Sequence, residues 1–313
     1  MKSVIKVGTR GSKLALYQAE LLRSGLKELF PLIEFELVKI HTRGDMIRRG
    51  TIRSIGPAIF TREIEEALLA NQVDMGVHSA KDLATELPEG LEIGAFLMRE
   101  DARDCLVARG GMDLKELPQG ARIGTGSIRR RAQLKKLRPD LQIVDLRGNV
   151  ETRLRKTLEE GEYDGMVLAH AGLLRLSLQN HVTQVFDEDA FLPQAGQGAV
   201  AVEIRQNDVE TKKMLHSVNH EITMAGVTAE RSFLRCLEGG CQIPAGVRSR
   251  IDGNILNLKG AVFSLDGDRE ISDSINGPVS DGQKLGWMLG EKILEAGGRE
   301  LLQAVRKAVE DRD

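Results

Sequence analysis

Cys241 stands in the run Glu238-Gly239-Gly240-Cys241-Gln242-Ile243-Pro244, where two glycines let the backbone approach another group closely and leave the thiol at a loop tip. The thiolate is the reactive form, so an exposed cysteine near arginines suits attachment or nucleophilic chemistry. The alternative is a small buried hydrophobe, the commonest role of a free cysteine. Lys81-Asp82 is a second candidate, placed directly after the strand-like run Val73 to Ala80. A carboxylate there can stabilise a developing cation or move a proton. It can equally cap a helix or pair with an arginine. Arg10, Arg129, Arg130, Arg147, Arg153 and Arg175 fall at or near strand ends and first helical turns, whereas Arg131, Arg138 and Arg155 read as solvated helix positions. Of 44 basic residues, 28 are arginine and 16 lysine. A guanidinium fork grips carboxylate or phosphate bidentately, so the excess suits an anionic ligand. A compositional bias or surface ion pairs would give the same count.

The elements that must position these groups follow from periodicity. Val4 to Gly8 reads as a strand, Thr9-Arg10-Gly11-Ser12 as a turn with Ser12 at the N-cap, and Leu14, Tyr17, Leu21, Leu22, Leu26 and Leu29 as the apolar positions of a helix. Arg122-Ile123-Gly124-Thr125-Gly126-Ser127 followed by Ile128 to Leu134 repeats the design. Such a turn presents backbone N–H groups at the positive end of a helix, which suits an anion. Downstream, Thr61 to Leu68 leads into Val73 to Ala80, as Thr152 to Leu158 leads into Tyr163 to His170. Two similar α/β lobes are therefore expected, with a ligand cleft at the carboxyl ends of their strands. Ala199 to Ile204 reads as a strand returning to the first lobe. Beyond residue 219 come a helix from Ile222 to Leu237, strands turning at Asp252-Gly253-Asn254 and Asp266-Gly267-Asp268, and a closing helix from Lys284 to Val309.

At 313 residues and 41% hydrophobic, the chain is long enough for two or three cored domains. A net charge of −2 with 4% aromatics argues against a nucleic-acid surface. Lys2, Lys6, Arg10 and Lys13 interrupt any signal-peptide core, and no apolar run approaches a membrane span. Cys105, Cys236 and Cys241 are too few for a disulfide scaffold, so a cytoplasmic location is expected. His216, His220, Cys236 and Cys241 are only loosely spaced like a zinc set, with no supporting carboxylate pattern, and no metal is expected.

In order and spacing, Val7-Gly8-Thr9-Arg10-Gly11-Ser12, Thr42-Arg43-Gly44-Asp45, Val77-His78-Ser79-Ala80-Lys81-Asp82, Ile123-Gly124-Thr125-Gly126-Ser127-Ile128-Arg129-Arg130, Leu146-Arg147-Gly148-Asn149, Gly196-Gln197-Gly198-Ala199 and Leu237-Glu238-Gly239-Gly240-Cys241-Gln242 closely resemble the porphobilinogen deaminase family over essentially the whole chain. The resemblance implies two doubly wound α/β lobes like those of type II periplasmic binding proteins, 1–98 with 199–218 and 99–198, and a smaller α+β domain at 219–313. It implies a cytoplasmic, monomeric transferase of tetrapyrrole and haem biosynthesis, with no nucleic-acid or membrane partner. Four porphobilinogen units are joined with loss of ammonia onto a dipyrromethane cofactor held by a thioether at Cys241, and hydroxymethylbilane is released. Asp82 matches the catalytic aspartate. Lys81, Thr125, Ser127, Arg129, Arg130 and Gly172 match cofactor-binding positions, and Arg10, Ser12, Arg147, Arg153, Arg175 and Gln197 match substrate-binding positions. Each substrate carries two carboxylates, which explains the guanidinium forks. One departure is the loop Gly56-Pro57-Ala58-Ile59-Phe60, where the family has a glycine- and lysine-rich sequence.

Overall fold

A computed structural model describes residues 2–42, 60–238 and 243–310. Cys241 and the altered loop up to residue 59 lie outside the described residues. The chain divides into two compact units, Met1–Glu100 with Gly198–Val227 and Asp101–Gln197 with Thr228–Asp313.

In chain order the first unit opens with β1 (Val4–Arg10), α1 (Lys13–Leu29), β2 (Glu34–Ile40), α2 (Arg62–Leu69), β3 (Met75–Ser79) and β4 (Leu91–Phe96). The second contributes β5 (Asp104–Ala108), β6 (Arg122–Gly124), α3 (Ile128–Leu137), β7 (Gln142–Val144), α4 (Val150–Leu154), β8 (Gly165–Ala169), α5 (His170–Arg175) and β9 (Gln184–Val185). The chain then returns to the first unit through β10 (Val200–Arg205) and α6 (Val209–His216).

The first sheet has the order β2-β1-β3-β10-β4. β1 runs parallel to β2 and β3, and β10 antiparallel to β3 and β4. The second sheet, β7-β6-β8-β5-β9, repeats these directions position by position. The repeat legible in the sequence is thus a repeat of topology, and the returning strand expected at Ala199 to Ile204 is β10. In both sheets the fourth position is filled by the strand that follows a chain crossing, β5 or β10.

Both faces of the first sheet are covered, as a doubly wound sheet requires. Strand alternation turns Met75 and Val77 toward Ala19, Leu22 and Leu26 of α1. Gly76, between them, faces Ile64 and Leu68 of α2 at distances that leave no room for a Cβ. In the second unit Ile123, Leu134, Val167 and Phe191 form one core cluster, and Cys105, Leu146, Met166 and Leu173 another. Arg138, read from the sequence as solvated, instead ends α3 by pairing with Asp140 at 2.8 Å and donating to the carbonyls of Leu114 and Leu117.

The remaining elements are α7 (Glu221–Cys236), the antiparallel sheet of β11 (Ala245–Asp252), β12 (Ile255–Phe263) and β13 (Glu270–Pro278), then α8 (Gly282–Ile293) and α9 (Arg299–Glu310). Phe233, Val247, Leu258, Leu289 and Leu301 share its core. The expected turns hold, with Gly253 at φ 56° and Gly267 at φ 82°. The single closing helix does not: Gly297 at φ 103° divides it into α8 and α9, a conformation open to glycine at no steric cost. A Cβ on Gly267 would lie 2.4 Å from the backbone nitrogen of Lys136 and 2.5 Å from the carbonyl of Ala132, so the β12–β13 turn rests on α3.

Candidate active site

In the first unit, Arg10 ends β1 and Ser12 caps α1, its Oγ accepting from the Ala15 amide at 3.3 Å. β3 runs into a 3₁₀ turn, Ala80–Asp82, pinned by the Ala80 amide donating to Ala199 O at 3.0 Å. The turn presents Lys81 and Asp82, both half-buried. Arg10, Ser12, Phe60, Ser79, Lys81 and Asp82 contribute to the wall of a cavity of about 110 Å³. The Arg10 guanidinium lies 4.3 Å from the centroid of the Phe60 ring, a cation–π contact that holds the fork at the cavity. Ser79 is tied to α1 by the Gln18 amide, which donates to its Oγ at 2.9 Å. A carboxylate in the wall of this cavity can oppose positive charge developing within it.

In the second unit, Thr125 and Ser127 shape the turn between β6 and α3. The Ser127 amide donates to Thr125 Oγ1 at 3.2 Å, and Ser127 Oγ accepts from the Arg130 amide at 3.4 Å as the N-cap. The helix thereby drives Arg129 and Arg130 inward, where they are 3% and 6% exposed. Both meet Asp104, the first residue of β5 and wholly buried. Arg129 Nη1 donates to its Oδ2 at 2.6 Å, and Arg130 Nε to its Oδ1 at 2.9 Å. Gln197 completes the cluster, donating to Asp104 Oδ1 at 3.0 Å and to the carbonyl of Ala102 at 2.7 Å. Burial on its own would raise the Asp104 pKa, but the guanidiniums of Arg129 and Arg130 overcome it and hold the carboxyl at about 2. Burial pulls the Arg129 pKa down against the attraction of Asp104, yet a guanidinium still keeps its charge near neutrality. Two guanidiniums facing one carboxylate leave an excess positive charge, and Arg129 Nε and Nη2 are buried with no hydrogen-bond partner among the described residues.

Arg129 also lines a small cavity of about 10 Å³ with Ser127, Gln194 and Ile243. Arg147 is half-buried ahead of Gly148, whose φ of 112° and tight approach to Thr152 exclude a side chain. Arg153 donates from Nε to Gly148 O at 2.7 Å, across the Asn149 cap of α4. Gly172 and Arg175 are buried in α5, Arg175 in its last turn. Within the second unit the structure thus joins Arg129, Arg130 and Gln197 through Asp104, and brings Arg153 to the turn that follows Arg147. Asp104 was missed in the sequence; the only signal was a charge opening an otherwise apolar strand. Burial pushes the thiols of Cys105 and Cys236 up to about 12 and about 11, so neither is a thiolate near neutrality. Among the described residues no group of three or more His, Cys, Asp or Glu is placed to hold a metal ion.

The family model described as "Porphobilinogen deaminase, dipyromethane cofactor binding domain" matches residues 5–213, and "Porphobilinogen deaminase, C-terminal domain" matches residues 224–295. The chain is 45% identical over 306 residues to a porphobilinogen deaminase of Syntrophobacter fumaroxidans, covering 97% of this chain and 99% of that one. It is 47% identical over 308 residues to the protein of that name from Pelotomaculum thermopropionicum, covering 98% of each. Among solved structures it is similar to the periplasmic aliphatic sulphonate binding protein SsuA of Escherichia coli, with a TM-score of 0.43 and 12% identity over 76% of this chain and 71% of that one. It is similar also to the BenM effector binding domain, with a TM-score of 0.43 and 14% identity over 69% and 90%. On the two family models and the full-length relatives, the chain belongs to the porphobilinogen deaminase family.

Proposed function

We propose that Asp82 is the catalytic carboxylate of this chain's reaction and that Cys241 is the covalent attachment point of its cofactor. The chain is a transferase that joins four porphobilinogen molecules with loss of ammonia and releases hydroxymethylbilane, in the synthesis of tetrapyrroles. The observation that carries the role of Asp82 is its place in the wall of one cavity with Arg10 and Lys81. In the substrate, the C–N bond of the aminomethyl group breaks, ammonia leaves with the electron pair, and the pyrrole is left cationic. The Asp82 carboxylate opposes that charge as it forms, while Arg10 holds the substrate's acetate and propionate groups and Lys81 those of the cofactor.

The residues present fit a dipyrromethane. Its acidic side groups would meet the excess charge and the two unpartnered donors of Arg129, and Ile243, two residues past Cys241, lines the same small cavity. When bound, the group supplies the pyrrole end to which substrate is joined. Arg129 and Arg130 then anchor carboxylates, Gln197 and Asp104 hold the forks in register, and Thr125 and Ser127 set the turn that aims them. Gly172, Arg147, Arg153 and Arg175 are proposed to bound the same ligand path. The division at 219–313 into a third domain, the monomeric state and the cytoplasmic location belong to the same proposal. No helix among the described residues is long and apolar enough to cross a membrane.

Intact mass tests the attachment. Chain purified from cells that make porphobilinogen should be heavier than its sequence by about two pyrrole units, with the addition on the peptide containing Cys241 and absent from Cys241→Ala. A wild-type mass equal to the bare sequence would overturn the thioether.

A further inference from the structure

Beneath the Asp82 cavity lie three ionisable side chains that the reaction as described does not use. His78 lines the cavity from β3 and is 4% exposed. Its Nε2 is 3.1 Å from Oε2 of Glu203, at ion-pair distance but without hydrogen-bond alignment. Glu203, on the neighbouring strand β10, is wholly buried, and neither of its carboxylate oxygens has a hydrogen-bond partner. Gly76, two residues before His78 on the same face, makes the space, since a Cβ there would come within 3.0 Å of His78 Nε2. Glu65 reaches the group from α2. Burial raises its pKa, the Thr61 hydroxyl lowers it, and the charge of Glu203 raises it further. The other charges nearby are engaged: Arg62 pairs with Glu66, and Arg205 with Asp74, Asp208 and two backbone carbonyls.

An ionised carboxylate buried without hydrogen bonds costs several kcal/mol unless a cation lies beside it. Among the described residues, His78 is the one ion-pair partner of Glu203. The pair clamps β3 at the position just before the catalytic turn. Ser79, on the opposite face, is clamped by Gln18, and Ala80 by the carbonyl of Ala199.

We propose that His78 is a positioning residue: its buried contact with Glu203 fixes the end of β3 and so the Ala80–Asp82 turn that presents Lys81 and Asp82. The inference rests on the role proposed for Asp82.

The test compares wild type, Asp82→Ala, His78→Gln, Glu203→Gln and the double variant His78→Gln/Glu203→Gln, each confirmed by mass to carry its cofactor, on porphobilinogen. Each single glutamine variant is expected to lower kcat about 10- to 100-fold, the scale of a displaced catalytic group, with KM kept within about threefold. Each should also move the backbone amide resonances of Lys81 and Asp82. The double variant replaces the pair with two amides, and is expected to regain at least about half of the lost log kcat. Singles with wild-type kcat and wild-type Lys81 and Asp82 resonances would overturn the proposal. So would a loss of kcat matched by a lower folded fraction in circular dichroism with the Lys81 and Asp82 resonances unmoved. If a single variant does not fold, the kcat and the resonances of the double variant decide. Full activity in Asp82→Ala would instead refute the role of Asp82, and the resonances would still report whether His78 sets the turn.

Discussion

Arg129 and Arg130 show how a charge can be half spent on the protein and half kept for a ligand. Asp104 balances one guanidinium equivalent, and the unpartnered nitrogens of Arg129 carry the remainder. Replacing Asp104 with asparagine should destabilise the fold by about 3–5 kcal/mol, the cost of leaving a buried charge cluster without its counter-ion. The pH response has a definite sign. A carboxyl whose folded pKa is depressed to about 2, against an unfolded value of about 4, stabilises fully above pH ~4 and loses that contribution as pH falls toward 2. Chemical denaturation across that window should show an acid limb that is shallower in Asp104→Asn. Equal slopes in the two proteins would mean that Asp104 does not titrate as its surroundings require.

At the scale of elements, two turn glycines with the same backbone requirement have different surroundings. Gly253 has a φ of 56° and nothing within 4 Å of a Cβ, whereas Gly267 has a φ of 82° and rests against the backbone of α3. Gly253→Ala should cost about 1–2 kcal/mol through the left-handed conformation alone. Gly267→Ala should cost more, because the turn must also lift from the helix that carries Arg129 and Arg130. Denaturant midpoints of the two variants measure the difference, and equal losses would show that the contact contributes nothing. Much of this level was legible in the sequence. Strand, glycine turn and hydroxyl cap at Arg10 to Ser12 and at Thr125 to Ser127 are local signals, and both caps form as read. Burial of Arg129 and Arg130 was not legible. It depends on Asp104, 25 and 26 positions away, and on which face of α3 meets β5. The break at Gly297 escaped for a related reason: apolar periodicity continues on both sides of it, and only the backbone angle reveals the division.

For the whole molecule, the strand order sets which pieces can stand alone. Residues 1–100 supply β1 to β4 but not β10, which lies between β3 and β4 and is hydrogen-bonded to both. That fragment should show no cooperative thermal transition by circular dichroism, and joining it through a short linker to residues 198–227 should restore one. Cooperative melting of 1–100 alone would contradict the topology. The second sheet has no such dependence, since all its strands lie between Asp104 and Val185.

This difference bears on synthesis. β10 follows β4 by roughly a hundred residues, so at translation rates of roughly 5–20 residues per second it emerges roughly 5–20 s later. Throughout that interval β3 and β4 each wait with an unfilled edge, of the kind that recruits chaperones or pairs with the wrong chain. Meanwhile every strand of the second sheet has left the ribosome. The nascent chain completes its middle before its beginning.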